Sequence, residues 1–435
     1  MKNQRILNNA KWIIVCRVVQ ALLQLLIGML SARYLGPGNY GLINYAKSVV
    51  AFVVPIVNLG LNATLVSEFV ESPEKEGEIL GTSLIMGVVS SLSGMLLVMG
   101  FITVANGNEP QTLIVCALYS VSLLFQVMEQ VQYWFHYRLQ SKYPSMMALV
   151  AYLVVTAYKI YLLITGKSVY WFAVVHSIEY GIVGILLLII FRKQCSRRLS
   201  ASWGMAKRLF SKSRYYIVSS FMVTAFQNID HVMLKNMVGD GENGLYTAAI
   251  TAACCVDFFC AAIIDSFRPA ILSHKKTGSA DYEKSVSRLY CIIIYLTLVE
   301  SVGFTVFAKP IMWVLFGKEY LGAVPVLRVV SWLLAFSQMG RIRNIWILAE
   351  KKQSILWKIN LFGALANVAL NALLIPVWGA FGAALASVVT QVFANFVLGF
   401  LMGDLKKNNV LLIKGLDPRL LREVRQEFGR VHEGE

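Results

Sequence analysis

The chain has 435 residues, 57% of them apolar and only 15% charged, and its mean hydropathy is +0.62; this composition excludes an ordinary soluble globule and describes a membrane protein. The formal net charge of +16 would suggest nucleic acid in a soluble chain. Here the Lys and Arg residues gather between apolar runs, so membrane orientation and anionic lipid headgroups account for them and no nucleic-acid partner is expected.

The N-terminal MKNQR before an apolar run resembles a signal peptide, but Arg17, Gln20 and Gln24 interrupt the run, and it reads as an uncleaved first span. A helix needs about 20 mostly apolar residues to cross a bilayer, and about 12 such segments follow. Their approximate limits are 12–33, 43–68, 79–104, 112–135, 144–165, 170–191, 215–238, 245–271, 288–308, 323–348, 355–376 and 380–403. The fold class expected is therefore an all-α polytopic membrane protein of two six-helix lobes, 1–191 and 215–404, joined by a basic loop, 192–214, and followed by a tail, 405–435. Placing both termini in the cytoplasm puts roughly 28 Lys and Arg inside and roughly 4 outside, as the positive-inside rule requires.

The loop holds Arg192, Lys193, Arg197, Arg198, Lys207, Arg208, Lys212 and Arg214 and no acidic residue. It reads as a cytoplasmic tether whose length and solubility matter more than its sequence, with cations suited to the anionic inner face. The connection from Glu68 to Glu78 is acidic instead, and Glu68 and Glu129 read as headgroup-level residues near inner helix ends. In the tail, Asp417-Pro418 begins a helix that either lies on the inner surface or is solvated.

The turn Gly36-Pro-Gly-Asn-Tyr-Gly41-Leu42 recurs as Gly239-Asp-Gly-Glu-Asn-Gly244-Leu245, both GxGxxGL at an offset of 203 residues. The same offset places Gln24 on Gln227, so the first hairpin of each half reads as one unit written twice. A dinucleotide-binding reading would need a preceding strand and a βαβ unit, and a membrane helix stands there.

Ionisable groups in a span are costly and usually face a bundle interior or a wet cavity. Arg17, Gln20, Gln24, Gly28 and Ser31 form one helical stripe, and Ser220, Thr224, Gln227 and His231, flanked by Asp230, form its counterpart. Lys47, Asn58 and Asn62 are expected on one face, as are Cys254, Asp257, Ala261, Asp265 and Arg268. The candidate substrate-binding residues are thus Arg17, Gln20, Gln24, Lys47, Gln227, Asp230, Asp257, Arg268 and Arg341. Glu179, one turn from His176, and Glu300 fall near mid-span and are candidates for ion coupling. Each has a plain alternative: Arg17, Arg268, Arg341 and Arg343 are near enough to the interface to snorkel, and Asp230 and Lys235 could pair with each other. Tyr133, Trp134, Tyr137, Trp171 and Trp313 read as interfacial anchors. The seven cysteines lack metal-ligand spacing, no nucleotide or hydrolase motif is present, and no cofactor, metal or catalysis is expected.

Ala32-Arg33-Tyr34-Leu35-Gly36-Pro37 with Tyr40-Gly41, Asn228-Ile229-Asp230 with Gly244-Leu245-Tyr246, and Asn367 to Asn371 through Ile375-Pro376 to Ala384 stand in an order that resembles the Wzx-type oligosaccharide flippases of the MOP (MATE-like) superfamily. The resemblance covers nearly the whole chain. It implies a V-shaped pair of lobes that carries an undecaprenyl-diphosphate-linked oligosaccharide across the cytoplasmic membrane by alternating access, beside polysaccharide polymerase and glycosyltransferases, for surface polysaccharide. A cation-coupled multidrug exporter, a lipid II flippase, whose relatives usually have fourteen spans, and a non-transporting scaffold are the alternatives.

Overall fold

The computed structural model describes the backbone of residues 2–195, 198–278 and 281–420, and side chains from Val19 onward. Helices are the regular structure of these residues, and the chain divides into two compact units, Met1–Gly244 and Leu245–Glu435.

The first unit contains α1 (Lys2–Val57), α2 (Leu65–Glu71), α3 (Glu76–Asn106), α4 (Pro110–Ser120), α5 (Ser122–Gln126), α6 (Val131–Tyr137), α7 (Lys142–Ile164), α8 (Val169–Ala173), α9 (Val175–Gln194), α10 (Trp203–Val238) and the start of α11 (Asp240–Cys254). The second holds the rest of α11, then α12 (Asp257–Thr277), α13 (Asp281–Phe316), α14 (Val324–Ala349), α15 (Leu356–Val392), α16 (Leu398–Leu401) and α17 (Lys406–Lys414).

Helix α3 shows why such a sequence folds in lipid. Ser83, Gly87, Ser91, Gly94, Val98, Ile102 and Asn106 recur at helical spacing and are buried, while Leu92, Leu96, Leu97 and Val104 point outward. Small residues inside let neighbouring backbones approach, and large apolar ones face acyl chains. Val57 and Val53 fill the place a side chain at Gly94 would take, and Ser90 Oγ donates to the Val57 carbonyl at 2.6 Å.

Eight helical stretches among the described residues are long and apolar enough to cross a membrane, and α11 with α12, bent by 48°, makes up to nine. Two of the eight, Val19–Val57 and Gln353–Leu401, are 39 and 49 residues long. Each contains a non-helical glycine, Gly36 (φ 69°, ψ 170°) and Gly379 (φ 54°, ψ −131°), a conformation that costs glycine little. Pro37 follows Gly36, where its missing N–H costs nothing at a new helix start.

Three local expectations are corrected. The second expected span breaks after Val57, where Leu59 (φ 50°) and Gly60 (φ 67°) are left-handed, so Asn58 and Asn62 do not continue the face of Lys47. The stripe from Cys254 to Arg268 is interrupted between Cys254 and Asp257, which begins α12. The basic stretch is helical from Trp203, with Ser202 Oγ capping the Met205 N–H at 3.4 Å. The two compact units part at Gly244 and Leu245.

Candidate functional site

The basic stretch is docked rather than free. Glu68, fully buried, accepts a hydrogen bond from Lys212 Nζ at 2.8 Å and forms an ion pair with Arg208, whose Nε lies 2.5 Å away, and the same two cations reach Glu71, Arg208 at 3.2 Å and Lys212 at 2.6 Å. Hydrogen bonding to Lys212 holds the Glu71 carboxyl below its ordinary value, and bonding to Glu68 raises Lys212. Glu68 therefore faces cations of the chain itself rather than lipid headgroups. A neighbouring carboxylate, Glu76, is buried and receives Trp134 Nε1 at 2.7 Å and Arg138 Nη2 at 2.6 Å, so Trp134, 2% exposed, belongs to the core and not to an interfacial belt. Ser200 and Ser202 bond to Gly77 and Thr82 near the start of α3, at 3.3 and 3.1 Å.

At the opposite end of α10 the two GxGxxGL turns meet. A Cβ at Gly41 would overlap the Asp240 carbonyl, and one at Gly244 would overlap the Pro37 carbonyl. Asn243 Nδ2 donates to the Gly41 carbonyl at 2.8 Å, and its Oδ1 lies 2.8 Å from His231 Nδ1. Tyr45, Asn106 and Asn236 form a chain with links of 2.7 and 3.2 Å. Buried Lys235 bridges Glu109 at 2.5 Å and Asp240 at 2.6 Å. It does not pair with Asp230, because five residues along a helix carries a side chain well off the same face. Lys235 and then Thr112, whose Oγ1 donates to Glu109 at 2.7 Å, hold the Glu109 carboxyl below its ordinary value.

Between these ends lie the polar residues expected in the first half. Lys47 is exposed although Tyr45, Ala46 and Ser48 around it are buried, and it makes no hydrogen bond or ion pair among the described residues. Lys159 on α7, His176 on α9 and His231 on α10 are near enough to interact with it electrostatically. Glu179 Oε2 lies 3.6 Å from His176 Nδ1. Glu129 sits in a 3-10 turn, Val127–Gln130, within the span rather than at its end, and is close enough to Glu179 for mutual repulsion. Gln20 is half-buried, Gln24 and Gln227 are exposed, and Asp230 is buried. Arg17 lies in α1, with its side chain outside the described residues.

The second unit gathers a separate cluster. Asp257, the first residue of α12, accepts Arg341 Nη2 at 2.9 Å and also Gln338 Nε2. Arg341 and Arg268 line one cavity of about 330 Å³ with Asp265, Asn344, Ile264 and Leu348. Arg268 is exposed and has no ion pair among the described residues. Glu300 lies 3.8 Å from Cys260 Sγ and interacts with Asp257. Arg343, by contrast, is buried, donating to the Ala394 carbonyl at 2.7 Å and to Asn344 at 3.3 Å, so it holds the π-helical turn of Phe393–Val397 and does not snorkel. The sequence reading missed Glu109, whose link to Lys235 spans 126 residues; only the Glu109-Pro110 helix start marked it.

Residues 6–274 match the model of a polysaccharide biosynthesis protein family. The capsular polysaccharide biosynthesis protein CapF of Staphylococcus aureus is 21% identical over 403 residues, covering 89% of this chain and 96% of that protein. A probable low-salt glycan biosynthesis flippase, Agl15 of Haloferax volcanii, is 22% identical over 219 residues, covering 50% of this chain and 46% of that one. Among solved structures, the lipid II flippase MurJ in an inward closed conformation superposes with a TM-score of 0.69 at 15% identity, covering 93% of this chain and 90% of MurJ. An inward-facing MATE family multidrug transporter of the MOP superfamily gives 0.68 at 14%, covering 90% of this chain and 95% of the other. The chain therefore belongs to the polysaccharide biosynthesis protein family and has the helical membrane fold of the MOP superfamily.

Proposed function

We propose that the protein flips a polyprenyl-diphosphate-linked oligosaccharide repeat unit from the inner to the outer leaflet of the cytoplasmic membrane, by alternating access, for surface polysaccharide. The observation that carries this reading is the cavity where Arg268 and Arg341 stand together in a member of this family. An ionised headgroup loses its hydration in hydrocarbon at a cost of many kcal/mol. Guanidinium forks suit phosphate oxygens bidentately and lower that cost without bond chemistry. Arg341 is oriented by Asp257, and unpaired Arg268 supplies net charge. Within the first unit, Gln20, Gln24, Gln227, Lys47 and Asp230 are the groups proposed to hydrogen-bond sugars.

Twelve crossings fit this reading. Splitting the two long stretches at Gly36 and Gly379 adds two to the nine, and α10, too polar to qualify on composition, supplies the last. With both termini inside, the GxGxxGL turns close the outer side, and the Glu68 cluster lies at the inner face. The tether reading of 192–214 narrows to the residues before Trp203.

The test is complementation of a strain lacking the gene, with the protein level checked. Arg268→Ala and Arg341→Ala should each abolish surface polysaccharide and leave lipid-linked repeat units inside; full polysaccharide from a double variant would reject the phosphate role. A cation-coupled exporter would instead protect cells from cationic dyes, and a lipid II flippase would be required for peptidoglycan.

A further inference from the structure

A second surface of the molecule is built to meet lipid headgroups rather than cargo. Helix α17, Lys406–Lys414, follows the last apolar stretch after a turn at extended Met402 (φ −95°, ψ 110°). One side is fixed to its own unit. Asn408, Asn409, Leu411 and Leu412 are buried, Tyr290 donates to Asn408 Oδ1 at 2.9 Å, and Asn409 Nδ2 donates to the Phe396 carbonyl at 2.8 Å. A Cβ at Gly399 would overlap the Asn409 amide, so the helix packs closely against α16. The helix is thus held in register, and its outward side is set by that docking.

That side is apolar at its centre and basic at its edges. Val410 is 50% exposed and Ile413 45%, while Leu416 just beyond the helix is 49% exposed. Lys406, Lys407 and Lys414 are exposed around them, and α17 contains no acidic residue. Lys406 and Lys407 have no ion pair among the described residues, and Lys414 has one long contact, to Glu283 at 3.8 Å. The apolar surface continues from Phe400 and Leu401, which are exposed at the end of α16. The turn before α15 adds Lys351, and the first turn of α15 adds Lys358 and exposed Trp357, in the same unit, the pairing of cation and indole usual at a membrane interface.

We infer that α17 is an interfacial helix whose Val410 and Ile413 enter the headgroup and acyl boundary of one leaflet while Lys406, Lys407 and Lys414 bind the headgroups of anionic phospholipids. A soluble protein partner would need polar groups opposite three lysines and an apolar ridge level with the bilayer boundary. Lipid supplies both continuously from the adjoining span. This inference rests on the membrane-spanning fold and not on what is transported.

The test uses the full chain with its native cysteines replaced and Ile413→Cys carrying an environment-sensitive fluorophore, in vesicles of phosphatidylcholine with or without phosphatidylglycerol. Expected are quenching by nitroxide lipids labelled near the headgroup, shielding from iodide, and a blue shift that grows with phosphatidylglycerol at low salt. Lys406→Gln, Lys407→Gln and Lys414→Gln together should remove the phosphatidylglycerol dependence, and they leave the buried face of α17 intact. Iodide access equal to that of a loop cysteine, or quenching acquired only on adding a soluble protein fraction, would overturn the inference. Insertion indifferent to phosphatidylglycerol would overturn the anionic-lipid assignment.

Discussion

Gly41 and Gly244 are images of one another in a single contact. A Cβ at Gly41 would overlap the carbonyl of Asp240 and one at Gly244 that of Pro37, and the offset that relates the glycines, 244 − 41 = 203, also relates their partners, 240 − 37 = 203. Reciprocal contacts of this kind mark a two-fold relation, here between two segments of one chain. On the proposed orientation, opening to the outside parts the turns at this point. Gly41→Ala with Gly244→Ala should force them apart, costing about 1–3 kcal/mol as overpacking does. A cysteine at Thr224, otherwise protected, should then react several-fold faster with an impermeant maleimide applied outside. Unchanged labelling of the folded double variant would show that the turns do not control access.

At the far end of α10 the decisive feature is a carboxylate enclosed by protein. Glu68 is fully buried beneath the half-exposed cations Arg208 and Lys212, and removing Arg208 leaves the Glu68 carboxylate with Lys212 as its one remaining cation among the described residues. Arg208→Ala should cost about 1–3 kcal/mol, seen as a lower unfolding temperature in detergent. Lys193→Ala, whose target is an exposed residue with no ion pair among those described, should be neutral. Equal effects would mean that the stretch contributes charge only.

The lysine clasp at the turns sets a pH dependence. The Lys235 hydrogen bond depresses the Glu109 carboxyl below its ordinary 4.5, so the folded state binds that proton less readily than the unfolded one. The stability it contributes is complete above about pH 4.5 and is lost as pH falls through the depressed value. Glu109 is 45% exposed, and solvent screening keeps the effect modest. Glu109→Gln should flatten this limb of a stability profile and lower stability at neutral pH. A variant with the same acid limb as the parent would contradict the assignment.

Much of this arrangement is legible in the sequence because lipid makes its demands locally. Span order, the repeated turns and the candidate cations are set by runs of apolar residues, by glycines and by charges standing in oily surroundings. Arg268 and Arg341, which line one cavity, are visible in the sequence as charges standing in apolar runs. What the sequence hides are pairings across long separations. Lys235 reaches back 126 residues to Glu109, and Lys212 reaches back 144 to Glu68; nothing at either site names the other. The breaks before Asp257 and after Val57 are hidden too, because the apolar runs continue through them and only backbone angles reveal the interruption.

The carboxylates near mid-span carry the last prediction. Glu179 is held beside His176 in the first unit, and Glu300 beside Cys260 and Asp257 in the second. If proton movement through one of them drives flipping, that step must fail when the acid is replaced by an isosteric amide, whereas binding at the arginine cavity should persist. Glu179→Gln and Glu300→Gln are expected to reduce transport at least tenfold in the coupled case while a lipid diphosphate still protects a cysteine at Asn344 from alkylation. Collapsing the proton gradient should then leave the residual activity of that variant unchanged but lower the activity of the parent. Parent activity indifferent to proton and sodium gradients, with both variants fully active, would remove ion coupling and leave consumption of the glycan on the outer side as the source of direction.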